Sequence, residues 1–247
     1  MGLQDGPVWV RTYPVTFLHD VTLRHYDERW HHLTFAASGH LEVVTDDARR
    51  LVPADRAVWM PAGVAHTNIM RAPVSMRSLF VAVGAPGVTP GRVRTIAVSP
   101  LLRELIQHIT RIGALDSSIA EQARLAGVLF DLLAAATDVG LDLPSPRDKR
   151  ARRFADLVTR APGGDASIAA LARTAGVSLR TLERVFLADT GVAVGAWRRR
   201  VRLFRALHLL EAGGSVTEVA LEVGYDSTSA FCQAFRRQFG HSPKRRR

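Results

Sequence analysis

One helical unit occurs twice near the end of the chain, and this repetition constrains the fold more than any other feature. "SIAALARTAGVSLRTLERVFLADTG" (residues 167–191) aligns with "SVTEVALEVGYDSTSAFCQAFRRQFGHSP" (residues 215–243). Ser167 lies over Ser215, Ala172 over Ala220 and Gly176 over Gly224, each pair 48 residues apart. The second copy gains one residue after its glycine, so Phe186 matches Phe235 and Gly191 matches Gly240. A helix of about two turns, a three-residue turn with Gly and a longer helix make the helix-turn-helix plan. The small alanine lets the two helices cross closely, and Gly176 and Gly224 sit where a helix stops and φ must turn positive. Ser215, followed three residues later by Glu218, forms a capping box that starts a helix at 215.

Apolar positions anchor the longer helix of each unit: Val177 and Leu182 in the first, Tyr225 and Phe231 in the second. The remaining face is polar, with Arg180, Thr181, Glu183 and Arg184 in the first copy and Thr228, Ser229 and Gln233 in the second. Arg suits guanine, Gln suits adenine, and Ser or Thr suits several bases. Arg236 lies toward the back of its helix, where phosphates run, with Arg237 beside it. Phe186, Phe231, Phe235 and Phe239 read as core, as does Trp197, and Cys232 reads as a small neighbour of the interface. "GAWRRRVRLFRALHLLEAG" (195–213) reads as one helix whose roughly 18 residues span about 27 Å. That length is of the order of one turn of DNA, about 34 Å. The interval between the copies therefore measures the distance between successive major grooves on one face of a duplex.

Charge points the same way. Residues 147–247 hold 20 Lys and Arg against 9 Asp and Glu, whereas residues 1–146 hold 13 against 14. The whole net charge of +10 thus resides in the half with the repeat, the footprint of a polyanion-binding domain. The arginines spread over several helices and do not line one amphipathic face, which favours nucleic acid over a membrane surface.

At these residues the chain resembles the AraC/XylS family of bacterial transcription regulators. "VSLRTLERVFLADTG" and the signature region "VALEVGYDSTSAFCQAFRRQFGHSP" carry the resemblance, which spans residues 150–243. It implies an all-α DNA-binding domain over 147–247, with two helix-turn-helix motifs joined by a linker helix. It also implies that Arg180, Glu183, Arg184, Thr228, Ser229 and Gln233 face bases. The family follows its final Pro with an aromatic residue and Arg, but this chain ends "SPKRRR". This cluster reads either as further phosphate contacts or as a disordered tail, and the mutual repulsion of like charges favours the tail.

Residues 8–83 are strand-like, mixing β-branched and aromatic residues with Gly, Pro and Asp breaks at short intervals, the pattern of an antiparallel sandwich or barrel. Leu101, Leu102, Leu105, Ile106, Ile109 and Ile112, then Ile119, Ala123, Ala126, Phe130 and Leu133, recur at helical spacing. These two helices suit packing on the barrel, on a second subunit, or on both. "LDLPSPRDKR" (141–150) marks the domain boundary. "PAGVAH" (61–66) has the P-x-G-x-x-H pattern of the second cupin motif. With "HYDERWHHLTFAASGHLEV" it resembles the small cupin barrel that serves as the sensing domain in many AraC-type regulators, in particular the single-barrel subgroup associated with transporter or efflux genes. The expected class is α+β multidomain: a cupin-like sensor barrel over 1–95, a helical packing or dimerisation segment with linker over 96–146, and the DNA-binding domain.

Alternate residues on a strand face one side, so His25 and Asp27 fit the paired ligand positions of a metal cupin, with His66 as the late ligand. Asp27 stands where that pattern has a second histidine; His31 or His32 substitutes if the strand is shifted. The other readings are that these histidines and Trp30 line an organic effector pocket, or that they are structural. Cupin barrels also host enzymes, so a metal-dependent enzyme or metal sensor fused to a DNA-binding tail is the competing class. The incomplete ligand set argues against it, and the chain is expected not to be an enzyme and to need no cofactor. A single cysteine precludes an intramolecular disulfide and fits a reducing compartment. Residues 119–143 are interrupted by Asp131 and Asp138, against a membrane span, and the opening residues lack the apolar stretch of a signal peptide. The expected partners are double-stranded DNA, a small-molecule effector, RNA polymerase and a second copy of the chain, in the cytoplasm.

Overall fold

A computed structural model describes residues 7–53, 56–70, 72–139 and 142–243; the basic tail read at 244–247 lies outside the described residues. The chain divides into two compact units, one of Met1–Asp46 and Arg50–Asp142, the other of Asp47–Arg49 and Leu143–Arg247.

The first unit runs β1 (Val8–Phe17), β2 (Val21–His25), β3 (Trp30–Ser38), β4 (His40–Val44), β5 (Ala48–Pro53), β6 (Arg56–Met60), β7 (His66–Met70), β8 (Val74–Ala82) and β9 (Arg94–Ala97). Then follow α1 (Pro100–Ile112), β10 (Ala114–Asp116) and α2 (Ala120–Ala135). One sheet has the strand order β10-β1-β8-β3-β6-β9, and in the other β5-β4-β7-β2 are neighbours. The expected closed barrel is therefore corrected to two open sheets. The six-stranded sheet stops at β10 and β9, strands of three and four residues, and short edges end a ladder without inviting further pairing.

Residue parity divides the core. On β3, Leu33 and Phe35 join Ala57, Trp59, Leu79 and Val81 in a cluster with Leu102, Ile106 and Ile109 of α1 and Leu129, Phe130 and Leu133 of α2. Both helices thus cover the outer face of the six-stranded sheet. Ala36 points the other way, into a second cluster with Leu41, Val43, Val58, Met60, Met70 and Met76. Strand β3 is buried on both faces over Trp30–Ala36, so its sequence shows no strict alternation of apolar and polar residues, and His31, His32 and Thr34 are buried among the apolar ones.

The second unit is helical: α3 (Lys149–Arg160), α4 (Ile168–Thr174), α5 (Leu179–Thr190), α6 (Val194–Glu211), α7 (Val216–Glu222) and α8 (Thr228–Phe239). The two sequence copies become the pairs α4–α5 and α7–α8. Helices α4 and α7 have seven residues each, and α5 and α8 twelve each. Every one begins on a serine N-cap whose hydroxyl accepts an amide: Ser167 from Ala170, Ser178 from Thr181, Ser215 from Glu218 and Ser227 from Ala230. The capping box of Ser215 and Glu218 is present in full. Gly176 and Gly224 turn the chain at φ 77° and 79°, and Val177 and Tyr225 each donate back to the matching alanine carbonyl, Ala172 and Ala220. Tight crossing at these alanines, both fully buried, explains the small side chain. Trp197 on α6 is core: its indole packs edge-on to Phe186 at 5.3 Å and its Nε1 donates to the Pro144 carbonyl.

Candidate nucleic-acid interface and sensor site

The exposed faces of α5 and α8 follow from what the buried faces hold. Leu182 and Phe186 bury one side of α5, leaving Arg180, Glu183 and Arg184 exposed on the other. On α8, Phe231, Ala234, Phe235 and Phe239 are buried, while Ser229, Gln233, Arg236 and Arg237 form one exposed stripe at i, i+4, i+7 and i+8. The stripe of α8 therefore carries two residue types that read base edges and two guanidiniums toward its C-terminal end. Arg236 is turned to that end, where its Nη2 donates to Ser242 Oγ at 2.7 Å. Two residues expected on the polar faces have other surroundings. Thr181 is half-buried, and its Oγ1 accepts from Ser178 Oγ at 2.9 Å while its amide donates to the same hydroxyl. Thr228 is half-buried as the first residue of α8.

In the first unit three imidazoles meet between the sheets. His25 pairs in register with His66 across β2 and β7, and His32 faces them from β3. Ring centroids are 5.0 Å apart for His25–His32 and His32–His66 and 5.1 Å for His25–His66, and Phe80 stacks on His32 at 4.6 Å. His66 Nδ1 lies 3.0 Å from the Val64 carbonyl, which only accepts, so this nitrogen carries the proton. His66 Nε2 then accepts from His32 Nδ1 at 2.9 Å, and His32 Nε2 accepts from Thr34 Oγ1 at 2.9 Å. The relay needs neutral rings. Burial, reinforced by the neighbouring His66 and His25, holds His32 well below the usual imidazole pKa. Burial is also the main cause that lowers His25, His31 and His66.

Three residues of the expected set do not join this cluster. His31 is one position from His32 and so points to the opposite face, where its ring lies 5.3 Å from Trp59 and its Nδ1 accepts from the Ala62 amide. Trp30 lies under the Arg11 guanidinium at 4.4 Å. The Asp27 carboxylate closes a turn by accepting from the Arg29 amide at 2.7 Å and reaches His25 only as a charge. The expected ligand set of His25, Asp27 and His66 is thus not assembled. Among the described residues no group of three or more His, Cys, Asp or Glu is arranged to hold a metal ion; His32 and His66 bond each other directly.

The same interior holds polar atoms without a hydrogen-bonding partner: His25 Nε2, Asn68 Oδ1 and Ser78 Oγ, with Asn68 and Ser78 only 3% and 1% exposed. Asn68 is two residues beyond His66 on β7, and Thr34 two beyond His32 on β3, so strand alternation from the expected histidines finds both. Ser78 and Phe80 are visible only through pairing, since β8 sets them opposite Thr34 and His32. A separate cavity of about 340 Å³ opens on the opposite face of the six-stranded sheet, among Trp59, Val88, Arg92, Arg94, Phe130 and Leu133. Its guanidiniums are engaged, Arg94 with the Leu133 carbonyl at 2.7 Å and Arg92 with Asp138 at 2.9 Å.

Two serine-capped helix-turn-helix units in a strongly basic half, following in sequence a unit of two β-sheets that bury polar groups between them, define a DNA-binding regulator. Residues 171–247 match the family described as helix-turn-helix domain. Over 213 residues the chain is 32% identical to the HTH-type transcriptional regulator NimR of Escherichia coli K12, covering 86% of this chain and 78% of that protein. It is 29% identical over 179 residues to the thermoregulatory protein LcrF of Yersinia pestis, covering 69% of this chain and 65% of LcrF. Among solved structures, ToxT from Vibrio cholerae with bound unsaturated fatty acid aligns over 98% of this chain and 95% of ToxT, at 12% identity and a TM-score of 0.39. The chain belongs to the AraC-type family of helix-turn-helix transcription regulators, and it is a regulator rather than an enzyme. Among the described residues no helix is long and apolar enough to cross a membrane.

Proposed function

We propose that one copy of the chain reads two unlike DNA elements about one helical turn apart, and that a small polar effector in the sandwich interior controls this reading. The observation that carries the first part is the pair of equal twelve-residue helices whose exposed faces differ: Arg180, Glu183 and Arg184 on α5, Ser229 and Gln233 on α8. Arg236 and Arg237 grip phosphates at the end of α8. Thr181 and Thr228, each beside an N-cap serine, set the entry of their helices and add hydroxyls for nearby phosphates. The effector reading is supported by the orphaned His25 Nε2, Asn68 Oδ1 and Ser78 Oγ beside His32 and His66, since buried polar groups demand a partner. Asp27 stands near that interior and acts on His25 as a charge, whereas Trp30 and His31 serve the packing around it. A cytoplasmic site of action, transporter or efflux genes as targets, and RNA polymerase and a second copy of the chain as partners complete the role.

The test is a band-shift titration on a selected duplex with about 5 or about 10 base pairs inserted between the elements. The shorter insertion turns one element to the far side of the duplex, and the longer exceeds the reach of α6. Both are expected to remove most specific affinity, and unchanged affinity on either contradicts the two-element reading. For the effector, a metabolite panel screened by thermal shift is expected to yield a stabilising compound whose effect Asn68→Leu removes. If every compound that stabilises the chain does so equally in Asn68→Leu, the interior is not its site.

A further inference from the structure

We propose that Arg202, aided by Arg198, is a positioning clamp that fixes the separation and phase of the two helix-turn-helix motifs, and thereby the element spacing that the chain accepts. This rests on the two-element reading. A linker helix alone is a weak ruler. Helix α6 is flanked by Gly191 and by Gly213, both at positive φ, and Gly214 follows, so each motif is hinged to it through glycine. The structure contains a second connection that bypasses both hinges.

Arg202 projects from the middle of α6 and bonds at once the loop that leads into the first motif and the turn of the second. Its Nε donates to the Pro162 carbonyl at 3.1 Å, and its Nη1 donates to the Gly224 carbonyl at 3.0 Å. Pro162 belongs to the loop that leads from α3 into the first motif; Gly224 is the turn of the second. One helical turn earlier, Arg198 Nη2 donates to the Gly164 carbonyl of the same loop at 2.6 Å. The backbones themselves touch. A Cβ on Gly163 would lie 1.8 Å from the Glu222 carbonyl oxygen, the last residue of α7. A Cβ on Gly224 would lie 2.9 Å from Arg202 Nη2 and 3.1 Å from the Gly163 carbonyl oxygen. The loop before the first motif is therefore seated on the turn of the second, with a guanidinium bonded to both.

Only a planar fork serves here. A guanidinium presents several donors in fixed directions and spans two carbonyls, whereas an ammonium is a compact point charge that cannot hold both in one geometry. The arrangement opposes itself electrostatically, since burial and the Arg202 charge together lower the pKa of Arg198. Two guanidiniums side by side against neutral carbonyls are a poor arrangement for stability alone. As a device that aligns three backbone segments, they fit the geometry.

The test separates the clamp from the DNA reading. The full chain with Cys232→Ser is spin-labelled at Ala188→Cys and Ala230→Cys, exposed positions on α5 and α8, and distances are measured without DNA. A single narrow distribution is expected for the parent, and at least about a twofold broader one for Arg202→Met and Arg202→Lys. Arg202→Lys keeps the charge and stem and gives the readout if the methionine variant does not fold. An unchanged width in the folded variants overturns the clamp. Band-shifts on a duplex selected by the wild-type chain, with 2 base pairs added or removed between the elements, then read the consequence. Wild type is expected to lose at least about tenfold in affinity off the selected spacing, and the variants less than about threefold. An equal loss at all spacings with the discrimination intact is the mark of a merely structural role, and also overturns the proposal. Broadened distances in a chain that needs only one element would uphold the clamp and sink the two-element reading.

Discussion

The helical unit displays its chemistry and the β unit buries it. On α5 and α8 the side chains proposed to read base edges, Arg180, Glu183, Arg184, Ser229 and Gln233, stand in solvent, opposite buried phenylalanines. In the sandwich the hydrogen-bonded histidines His32 and His66 are 3% and 5% exposed, and their relay works only with neutral rings. The contrast teaches where each unit is vulnerable. A surface reader depends on the packing behind it and on salt; a buried polar interior depends on pH and on every partner being present.

The largest effects should come from the packing behind the exposed faces. Phe235 meets Phe231 at 5.6 Å and Phe239 at 4.5 Å, so Phe235→Ala is expected to destabilise the helical unit by about 3–5 kcal/mol. Phe186→Ala, which removes the ring between Phe154 and Trp197, should cost a similar amount. Urea unfolding of each variant measures this, and a loss below about 1 kcal/mol would mean that these rings do not hold the faces in place.

In the β unit, His66→Ala strands the His32 Nδ1 proton in a buried site, at a cost of about 1–3 kcal/mol beyond the lost packing. His66→Gln, which restores an acceptor, should recover part of it in the same unfolding assay. No recovery would show that packing, not the relay, carries the effect.

On the exposed side, Arg184→Ala and Gln233→Ala are each expected to cost about 1–3 kcal/mol on the cognate duplex and to relax preference at one or two base positions. Arg236→Ala should weaken all sequences nearly equally and reduce the slope of affinity against salt by about 1. Competition titrations with mutated duplexes separate these patterns; a uniform loss for all three variants removes the base-reading role of Arg184 and Gln233.

The pH effect has the same sign as that of a carboxylate lowered by its partner, with stability lost as pH falls, but it lies nearer neutrality. His32 is held below its unfolded value of 6.5, so the unfolded chain takes up a proton that the folded one refuses. Stability is full above about pH 6.5 and falls as pH drops toward the folded value, by up to about 1.4 kcal/mol per pH unit for each such proton. His25, His31 and His66 shift in the same direction. In the helical unit, Asp148 is pushed down to about 2 by its bonds from the Arg150 side chain and the Ala151 and Arg150 amides, and it titrates far below this window. Unfolding followed at pH 7.5 and 5.5 should weaken the β unit and spare the helical one. Equal loss in both contradicts the assignment of the buried histidines.

The same contrast explains what was legible in the sequence. Serine caps, glycine turns and crossing alanines are local signals, and their recurrence at 48 and then 49 residues made both motifs readable, including the one residue gained after the second glycine; the structure places that residue between Tyr225 and the Ser227 cap. The buried side of α8 followed from helical periodicity, but its exposed stripe did so only in part: Arg236, read toward the back of the helix, shares the stripe with Ser229 and Gln233, and Thr228 is half-buried. The β unit depends on contacts distant in the chain. That His25, His32 and His66 converge follows from strand pairing and from which parity of β3 faces inward, so His31 and His32 were not separable by spacing alone. Asp27 looked like a ligand by alternation, but alternation ends where the chain turns, and its carboxylate serves that turn. Closure of the barrel was not readable either, because it is decided by whether edge strands as short as β9 and β10 find partners.

The central claim is that one chain carries two readers with different faces. Selection of duplexes from a random pool by the full chain, followed by sequencing, tests it most directly. The account predicts a bipartite, non-palindromic motif: two unlike elements with centres about 10 base pairs apart, with Arg184→Ala blurring one and Gln233→Ala the other. A single element, or two copies of the same element in inverted repeat, would contradict it.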